Sequence, residues 1–314
     1  MKNIAILMGG TSEEREISIQ SAQTIKKHID KKKYNAFLVL CVNTSEFQVI
    51  IDDTQYTVDT NNFSFQLNNE IIIFHKIFMM IHGEPGENGK LCKYFENKKI
   101  PYTSSDESAS TLTFNKYNCN KYLQSLGYNV PNSQIYKLQS RIEFPCIIKP
   151  SCSGSSFGIS KVYNNTEIPS AIKKAQEHGN QIIIEEFIEG REITCAVYQS
   201  NSQITTLPLT EIISQNDIFD YEAKYHDQSI EKTPAEISKT IKEKIITISK
   251  KLYIELNLAG IIRIDFIVKN KKPYIIEINT IPGFSEKSIV PQMLKCANIN
   301  ITDFITEQIE NISL

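Results

Sequence analysis

The chain of 314 residues has no tryptophan, only twelve glycines and only four arginines, Arg15, Arg141, Arg191 and Arg263, among its 34 basic residues. Glycine at about half its usual share of roughly 7 % implies that each one sits where the backbone needs it. An arginine kept in a lysine-rich chain points to a use for its fork geometry. Net charge is also missing as a signal. The balance of 34 basic against 36 acidic residues leaves −2, which gives no electrostatic case for nucleic acid or an anionic membrane surface. No apolar run approaches the roughly 20 residues of a membrane span, and the run from Ile4 to Met8 is too short for a signal peptide. The seven cysteines are widely spread and form no C-x-x-C pair, which argues against a disulfide framework or a zinc site and for a reducing cytoplasm. What is there is an ordinary soluble composition, 41 % hydrophobic and 22 % charged. It is long enough for two domains or three small ones and suits a small-molecule substrate.

Apolar patterning predicts a buried strand over residues 3–8, a helix over 13–29 with Ile17, Ala22, Ile25 and Ile29 at helical spacing, and a strand over 36–42. Residues 43–70 are polar and predict no regular element, and the apolar run over 71–81 predicts one strand that ends at His82-Gly83. Helices are expected over 91–98 and 108–127, and short strands over 144–149 and 182–187. A polar stretch over 214–233 is followed by an expected helix over 234–256, strands over 260–268 and 273–279, and an amphipathic helix over 301–311. Alternating strand and helix make the first hundred residues an α/β unit with a mostly parallel sheet, bounded near Pro101; the second half reads as α+β.

Four segments carry candidate chemistry. Met8-Gly9-Gly10-Thr11-Ser12-Glu13-Glu14 joins a strand to a helix start. Glu14 there has two uses, holding a ligand's ammonium group or closing a Thr11/Glu14 capping box, and the sequence favours the cap. His82 to Gly89 places three glycines after a strand without matching a phosphate-binding loop signature, at a strand end where ligands of open α/β sheets bind. Lys149 is delivered by a strand to a Ser/Gly loop ending at Gly158, a setting that suits a polyphosphate. Finally, Arg263 and Asp265 share one face of a strand, and Glu277 and Asn279 share one face of the next. If Asp265 pairs with Glu277 and Arg263 with Asn279, all four groups converge, a register that requires an odd-numbered loop. Oxygen ligands of this kind suit Mg²⁺, and the Pro282-Gly283 turn that follows can aim a backbone N–H at a developing oxyanion.

Six motifs in order resemble the D-alanine:D-alanine ligases of the ATP-grasp superfamily over nearly the whole chain. They are Gly-Gly-Thr-Ser-x-Glu-Arg-Glu-x-Ser from residue 9, His-Gly-x-x-Gly-Glu-x-Gly from 82 and Lys-Pro-x-x-x-Gly-Ser-Ser-x-Gly from 149, then Asp-Tyr-Glu-Ala-Lys-Tyr from 220, Arg-Ile-Asp from 263 and Glu-x-Asn-Thr-x-Pro-Gly from 277. The resemblance implies an ATP-grasp fold, with an N-terminal Rossmann-like substrate-binding domain over 1–102 and two α+β subdomains over 103–185 and 186–314. It implies a cytoplasmic enzyme, a homodimer by family expectation, that makes D-alanyl-D-alanine for peptidoglycan through a D-alanyl phosphate, using ATP and two Mg²⁺ or Mn²⁺ ions.

Carried over residue by residue, the resemblance puts Lys116 and Lys149 on ATP phosphates, Lys224 on the transferred phosphoryl group, and Glu185, Glu186, Phe187, Ile188 and Glu192 on adenine and ribose. Asp265, Glu277 and Asn279 become metal ligands. Glu14 takes the first D-alanine's ammonium, linked to Ser155 and Tyr225, while His82 lies near that substrate's carboxylate. Arg263 and the Gly283 N–H stabilise the tetrahedral intermediate, and Ser288 holds the acceptor's carboxylate. The chain departs from the family pattern at Asn88, Asn115, Cys152-Ser153, Phe187 and Lys287. Two other readings stay open: a ligase with another acceptor such as D-serine, and an ATP-binding regulator of the same fold without turnover. The expectation for the glycines is that nine of the twelve surround one site, with 127, 179 and 260 outside it.

Overall fold

The computed structural model describes residues 1–214 and 229–312. Tyr221, Lys224 and Tyr225 therefore lie outside the described residues. The first sheet runs β4 (Thr54–Thr57), β3 (Glu46–Ile51), β2 (Tyr34–Asn43), β1 (Lys2–Gly9), β7 (Lys76–Met79), with β1 parallel to both neighbours. Ile4 to Leu7 are wholly buried because a parallel strand is covered on both faces. Helix α1 (Arg15–His28) turns Ser18, Ser21, Ala22 and Ile25 inward at helical spacing. Where the sequence predicts one strand over 71–81, the chain forms β6 (Glu70–Ile73) and β7, separated at Phe74-His75. There His75 turns to pair with Asn3, while β6 makes a hairpin with β5 (Ser64–Leu67). The strands within 43–70 escaped the sequence reading because short hairpins of polar composition carry little apolar alternation.

After α2 (Lys90–Lys98), the single helix predicted over 108–127 is two, α3 (Glu107–Phe114) and α4 (Lys116–Ser125). Asn115 breaks it with an extended ψ of 97°, and its side chain caps α4 by accepting the Asn118 N–H at 3.0 Å. The break has a functional consequence, since Lys116 becomes the first residue of α4 and its backbone N–H is tied to Ser151 O at 2.9 Å.

The second sheet is antiparallel, in the order β10 (Ser160–Val162), β9 (Cys146–Pro150), β11 (Ile182–Glu186), β8 (Ser133–Ile135), backed by α5 (Ile168–Gln176). The third sheet, among the described residues, runs β15 (Ser229–Lys232), β14 (Thr210–Ser214), β12 (Arg191–Ser200), β16 (Ile262–Lys269), β17 (Lys272–Asn279), with β13 (Gln203–Thr206) also on β12. Helix α6 (Lys239–Glu255) joins α3 and α4 against this sheet. The last two helices, α7 (Ile289–Cys296) and α8 (Ile301–Glu310), share the first sheet's core: Phe284 stacks on Phe304 at 5.9 Å, and both belong with Ile4, Ile25 and Phe78 in one buried cluster. The C-terminal segment is thereby fastened to the N-terminal sheet.

Candidate active site

A cavity of about 830 Å³ opens where the three sheets meet. It is lined by Glu14, His82, Lys116, Ser155, Arg263, Asp265, Glu277, Asn279, Gly283 and Ser288, all expected from sequence, and by Glu87, Glu231 and Gln292, which were not. Lys149, Glu185, Glu186, Phe187, Ile188 and Glu192 lie off this cavity, on β9, β11, the turn after it and the start of β12.

The β16/β17 pair delivers the acidic wall. Arg263 stands opposite Asn279 and Asp265 opposite Glu277, the pairing expected, but the odd-numbered loop is not how the chain achieves it. The turn is the two-residue Asn270-Lys271, with φ of 50° and 61°, as a tight hairpin requires. A bulge between Asp265 and Phe266 inserts Ile276 and switches the parity. Without it, Glu277 would face away from Asp265.

Asp265 is buried and fully engaged. Arg263 donates to both of its oxygens at 2.9 Å, Asn279 Nδ2 donates to Oδ2 at 3.1 Å, and Thr194 Oγ1, its cross-strand neighbour on β12, donates to Oδ1 at 2.6 Å. Glu277 has Lys116 Nζ at 3.6 Å and Arg263 Nη2 at 3.9 Å. Lys116 also donates to Ser153 O at 2.5 Å, which ties α4 to the Ser/Gly loop.

The opposite wall comes from the strand ends of the first sheet. The favoured capping box does not form: Glu14 precedes α1 without a side-chain cap, and its carboxylate instead accepts a hydrogen bond from Ser155 Oγ. Two consecutive serines in the left-handed region, Ser155 and Ser156 with φ of 43° and 60°, present that hydroxyl. Gly154 leaves room for it: a Cβ there would stand 1.7 Å from Glu14 Oε2 and push that carboxylate from its place. Glycine clustering is otherwise looser than expected. Gly154 and Gly283 line the cavity and Gly83 stands against Ser12 and Glu14, whereas Gly86, Gly158 and Gly190 make room for Ile81 O, Pro150 and Val268 O of their own scaffold.

His82 reaches the cavity wall but both ring nitrogens are engaged, Nδ1 with Ile281 O at 2.8 Å and Nε2 with Ser21 Oγ at 3.0 Å. Burial pushes its pKa down. Burial, and next the nearby Glu14 carboxylate, push Glu87 up to about 7, while the Gly83 and Ile281 N–H groups and Lys116 pull the other way. Burial also raises the Glu231 pKa. Off the cavity, Lys149 and Glu185 form an ion pair at 2.6 Å between β9 and β11. Ser288 Oγ accepts the Ser285 N–H at 3.0 Å and so shapes the loop after Gly283.

Thr194 carries no sequence signal because β12 shows no distinctive alternation, and Glu231 none because it lies within the polar stretch over 214–233. Glu87 was within reach: it is the acidic position of the His-Gly-x-x-Gly-Glu-x-Gly motif from residue 82, and its burial is a tertiary property.

Comparison with known proteins agrees with this geometry. The D-ala D-ala ligase N-terminus family matches residues 3–105 and the D-ala D-ala ligase C-terminus family residues 118–310. A D-alanine:D-alanine ligase of Flavobacterium johnsoniae is 40 % identical, covering 99 % of both chains, and one of Bacteroides fragilis is 37 % identical with the same coverage. Among solved structures, the VanG D-Ala:D-Ser ligase from Enterococcus faecalis is 28 % identical with a TM-score of 0.85 over 98 % of each chain. The D-alanine:D-alanine ligase from Bacillus anthracis is 26 % identical with a TM-score of 0.79 over 99 % of this chain and 97 % of that one. Full-length similarity in sequence and fold, converging on one cavity, establishes that the chain belongs to the D-alanine:D-alanine ligase family.

Proposed function

We infer that the chain joins two D-alanine molecules into D-alanyl-D-alanine, with ATP as the phosphoryl donor and a D-alanyl phosphate as the intermediate, in peptidoglycan precursor synthesis. The observation that carries this reading is the meeting, in one cavity, of an ammonium acceptor at Glu14, an acidic wall at Asp265 and Glu277, and a cationic and N–H wall at Arg263 and Gly283.

The chemistry explains why both signs of charge are needed. Two unit negative charges 4 Å apart repel by about 4 kcal/mol at an effective dielectric of 20, so a carboxylate does not approach a triphosphate unaided. Lys116 and Lys149, with Lys224, supply positive charge along the phosphates. Glu185 to Ile188 and Glu192 hold adenine and ribose. Glu14 fixes the first D-alanine by its ammonium, and Ser155 and Tyr225 complete that link. After phosphorylation, the second amine attacks the acyl carbon, phosphate leaves, and Arg263 with the Gly283 N–H holds the charge on the tetrahedral oxygen. Ser288 orients the acceptor's carboxylate. His82, with both nitrogens engaged, serves by shaping the wall.

Asp265, Glu277 and Asn279 offer only oxygen donors to a cation: Asn279 keeps its carbonyl for that purpose while its N–H groups go to Asp265 and Arg263 O, and Asp265, whose oxygens Arg263, Asn279 and Thr194 occupy here, would exchange the Arg263 fork for the ion. That donor set fits Mg²⁺ or Mn²⁺, two ions in our reading, which supply charge neutralisation at the β- and γ-phosphates when bound. The three units over 1–102, 103–185 and 186–314 correspond in this reading to substrate, nucleotide and metal-binding parts. The chain works in the cytoplasm as a homodimer; no described helix is long and apolar enough to cross a membrane, and sedimentation velocity checks the dimer.

Coupled ADP release tests the reaction. D-alanine should stimulate it in the presence of Mg²⁺, and no stimulation at any enzyme concentration sinks the reading. Running D-serine and D-lactate beside D-alanine as acceptors measures specificity; Tyr225 favours a dipeptide product over a depsipeptide.

A further inference from the structure

The turn that carries Gly283 belongs to the C-terminal part of the chain, yet its neighbours are held by side chains from the N-terminal part, Ser21 of α1 and His82 and Glu87 of the loop after β7. Ile281 donates its N–H to Glu87 Oε1 at 3.1 Å. The other carboxyl oxygen, Oε2, accepts the Gly83 N–H at 2.8 Å. The Ile281 carbonyl faces His82 Nδ1 at 2.8 Å, and the Phe284 N–H is donated to Ser21 Oγ at 3.0 Å. Ser21 and His82 Nε2 are themselves 3.0 Å apart. Ser21 and His82 are 0 % and 3 % exposed, so water does not substitute for these bonds.

With a neutral imidazole, proton bookkeeping in this set has one solution. A carbonyl only accepts, so His82 carries its proton on Nδ1. The neutral ring then presents Nε2 as an acceptor, which takes the Ser21 hydroxyl proton, and the Ser21 oxygen in turn accepts from Phe284. Burial favours that neutral ring. The polar groups on both sides of residue 283 are thus fixed, while among the described residues nothing accepts the N–H of Gly283 itself, which lines the cavity.

We propose that Ser21, His82 and Glu87 are positioning residues that clamp the 281–284 turn to α1 and the loop after β7, and set where the Gly283 N–H points as the tetrahedral oxygen develops. The proposal rests on the ligase reading and adds to it a reason why this N–H is preorganised: a donor serves an oxyanion only if it is already in place when charge appears. The clamp also joins the first substrate's wall to the acceptor's wall through a handful of bonds.

Ser21→Ala removes the acceptor of the Phe284 N–H and the donor to His82 together. The expected result is a fall in kcat on the order of ten- to a hundredfold, with the dissociation constant for ATP within twofold of wild type. Affinity for a phosphinate dipeptide, whose tetrahedral phosphorus mimics the intermediate, should drop by a similar factor when measured with ADP and Mg²⁺. Glu87→Gln keeps the volume, puts an N–H where an acceptor is needed, and should show the same split; it carries the test if Ser21→Ala does not fold. Full kcat in the variants, or a loss of kcat matched by an equal loss of ATP affinity, overturns the clamp. Wild type that releases no ADP with D-alanine overturns the ligase reading instead, so the two failures are distinct.

Discussion

On the side proposed to hold the nucleotide, Lys149 and Glu185 face each other 2.6 Å apart with each side chain 5 % exposed. On the substrate side, Arg263 and Asp265 are 2.9 Å apart, but with 18 % and 8 % exposure, and Glu277 beside them is 23 % exposed. In both places, residues assigned to a ligand neutralise one another. The difference is closure. The Lys149 pair is sealed between two strands and away from the cavity, so binding a phosphate there means exchanging Glu185 for the ligand. The Arg263 cluster opens onto the cavity, and a cation can reach Glu277 without unpacking a sheet. Buried pairs hold position and give way at high cost, whereas a half-open cluster can rearrange.

The largest expected effect breaks the open cluster. Arg263→Ala should lower kcat by about 10² to 10³ fold, the scale of losing an oxyanion donor, while equilibrium binding of ATP changes little; a defect confined to ATP affinity would contradict the role given to Arg263. Next comes the sealed pair. Lys149→Met leaves Glu185 buried without its partner and should cost about 3–5 kcal/mol of stability, read as a lowered midpoint in denaturant, along with weakened ATP binding. Adding Glu185→Gln should restore much of the stability but not the ATP affinity, and equal recovery of both would erase the distinction between the two sides.

A smaller effect concerns the N-terminal wall. Glu87, raised to about 7, holds a proton in the folded state over a range where the unfolded chain has lost it. Its contribution to stability therefore declines as pH rises from about 4.5 to about 7 and stays low above that. Buried His82, with its lowered pKa, works in the opposite sense below about 6.5. Glu14, Lys116 and His82 all face Glu87's surroundings, so the comparison to make is wild type against Glu87→Gln. The difference in melting temperature between them should change with pH across that window, and a constant difference would show that Glu87 does not titrate there. The smallest effect is at the surface: Lys93 and Glu107, 2.8 Å apart but 61 % and 40 % exposed, form a pair whose removal by Lys93→Ala should leave melting temperature and kcat within error.

Much of the site was readable along the chain because its residues come in short motifs at the ends of apolar strands. Arg263, Asp265, Glu277 and Asn279 needed only the period of two and a guess at register. Lys116 was picked out and does line the cavity, while the helix around it was misread, since an asparagine that caps one helix while ending another looks, in sequence, like an unremarkable polar position. Glu14 illustrates the reverse case. Its local pattern spelled a capping box, and a serine 141 positions away won the side chain.

The sequence by itself determined the family, the pairing of β16 with β17 and the kinds of charge at the site, because these depend on residue type, local spacing and period. Only the tertiary structure decided the rest. The bulge that returns Glu277 to Asp265's face, the Thr194 hydroxyl from β12, the sealing of Lys149 on Glu185, and the hold of Ser21, His82 and Glu87 on residues 281–284 all join positions far apart in the chain. Their energies come from burial and from hydrogen bonds that water cannot replace. Those quantities exist only once the sheets have packed.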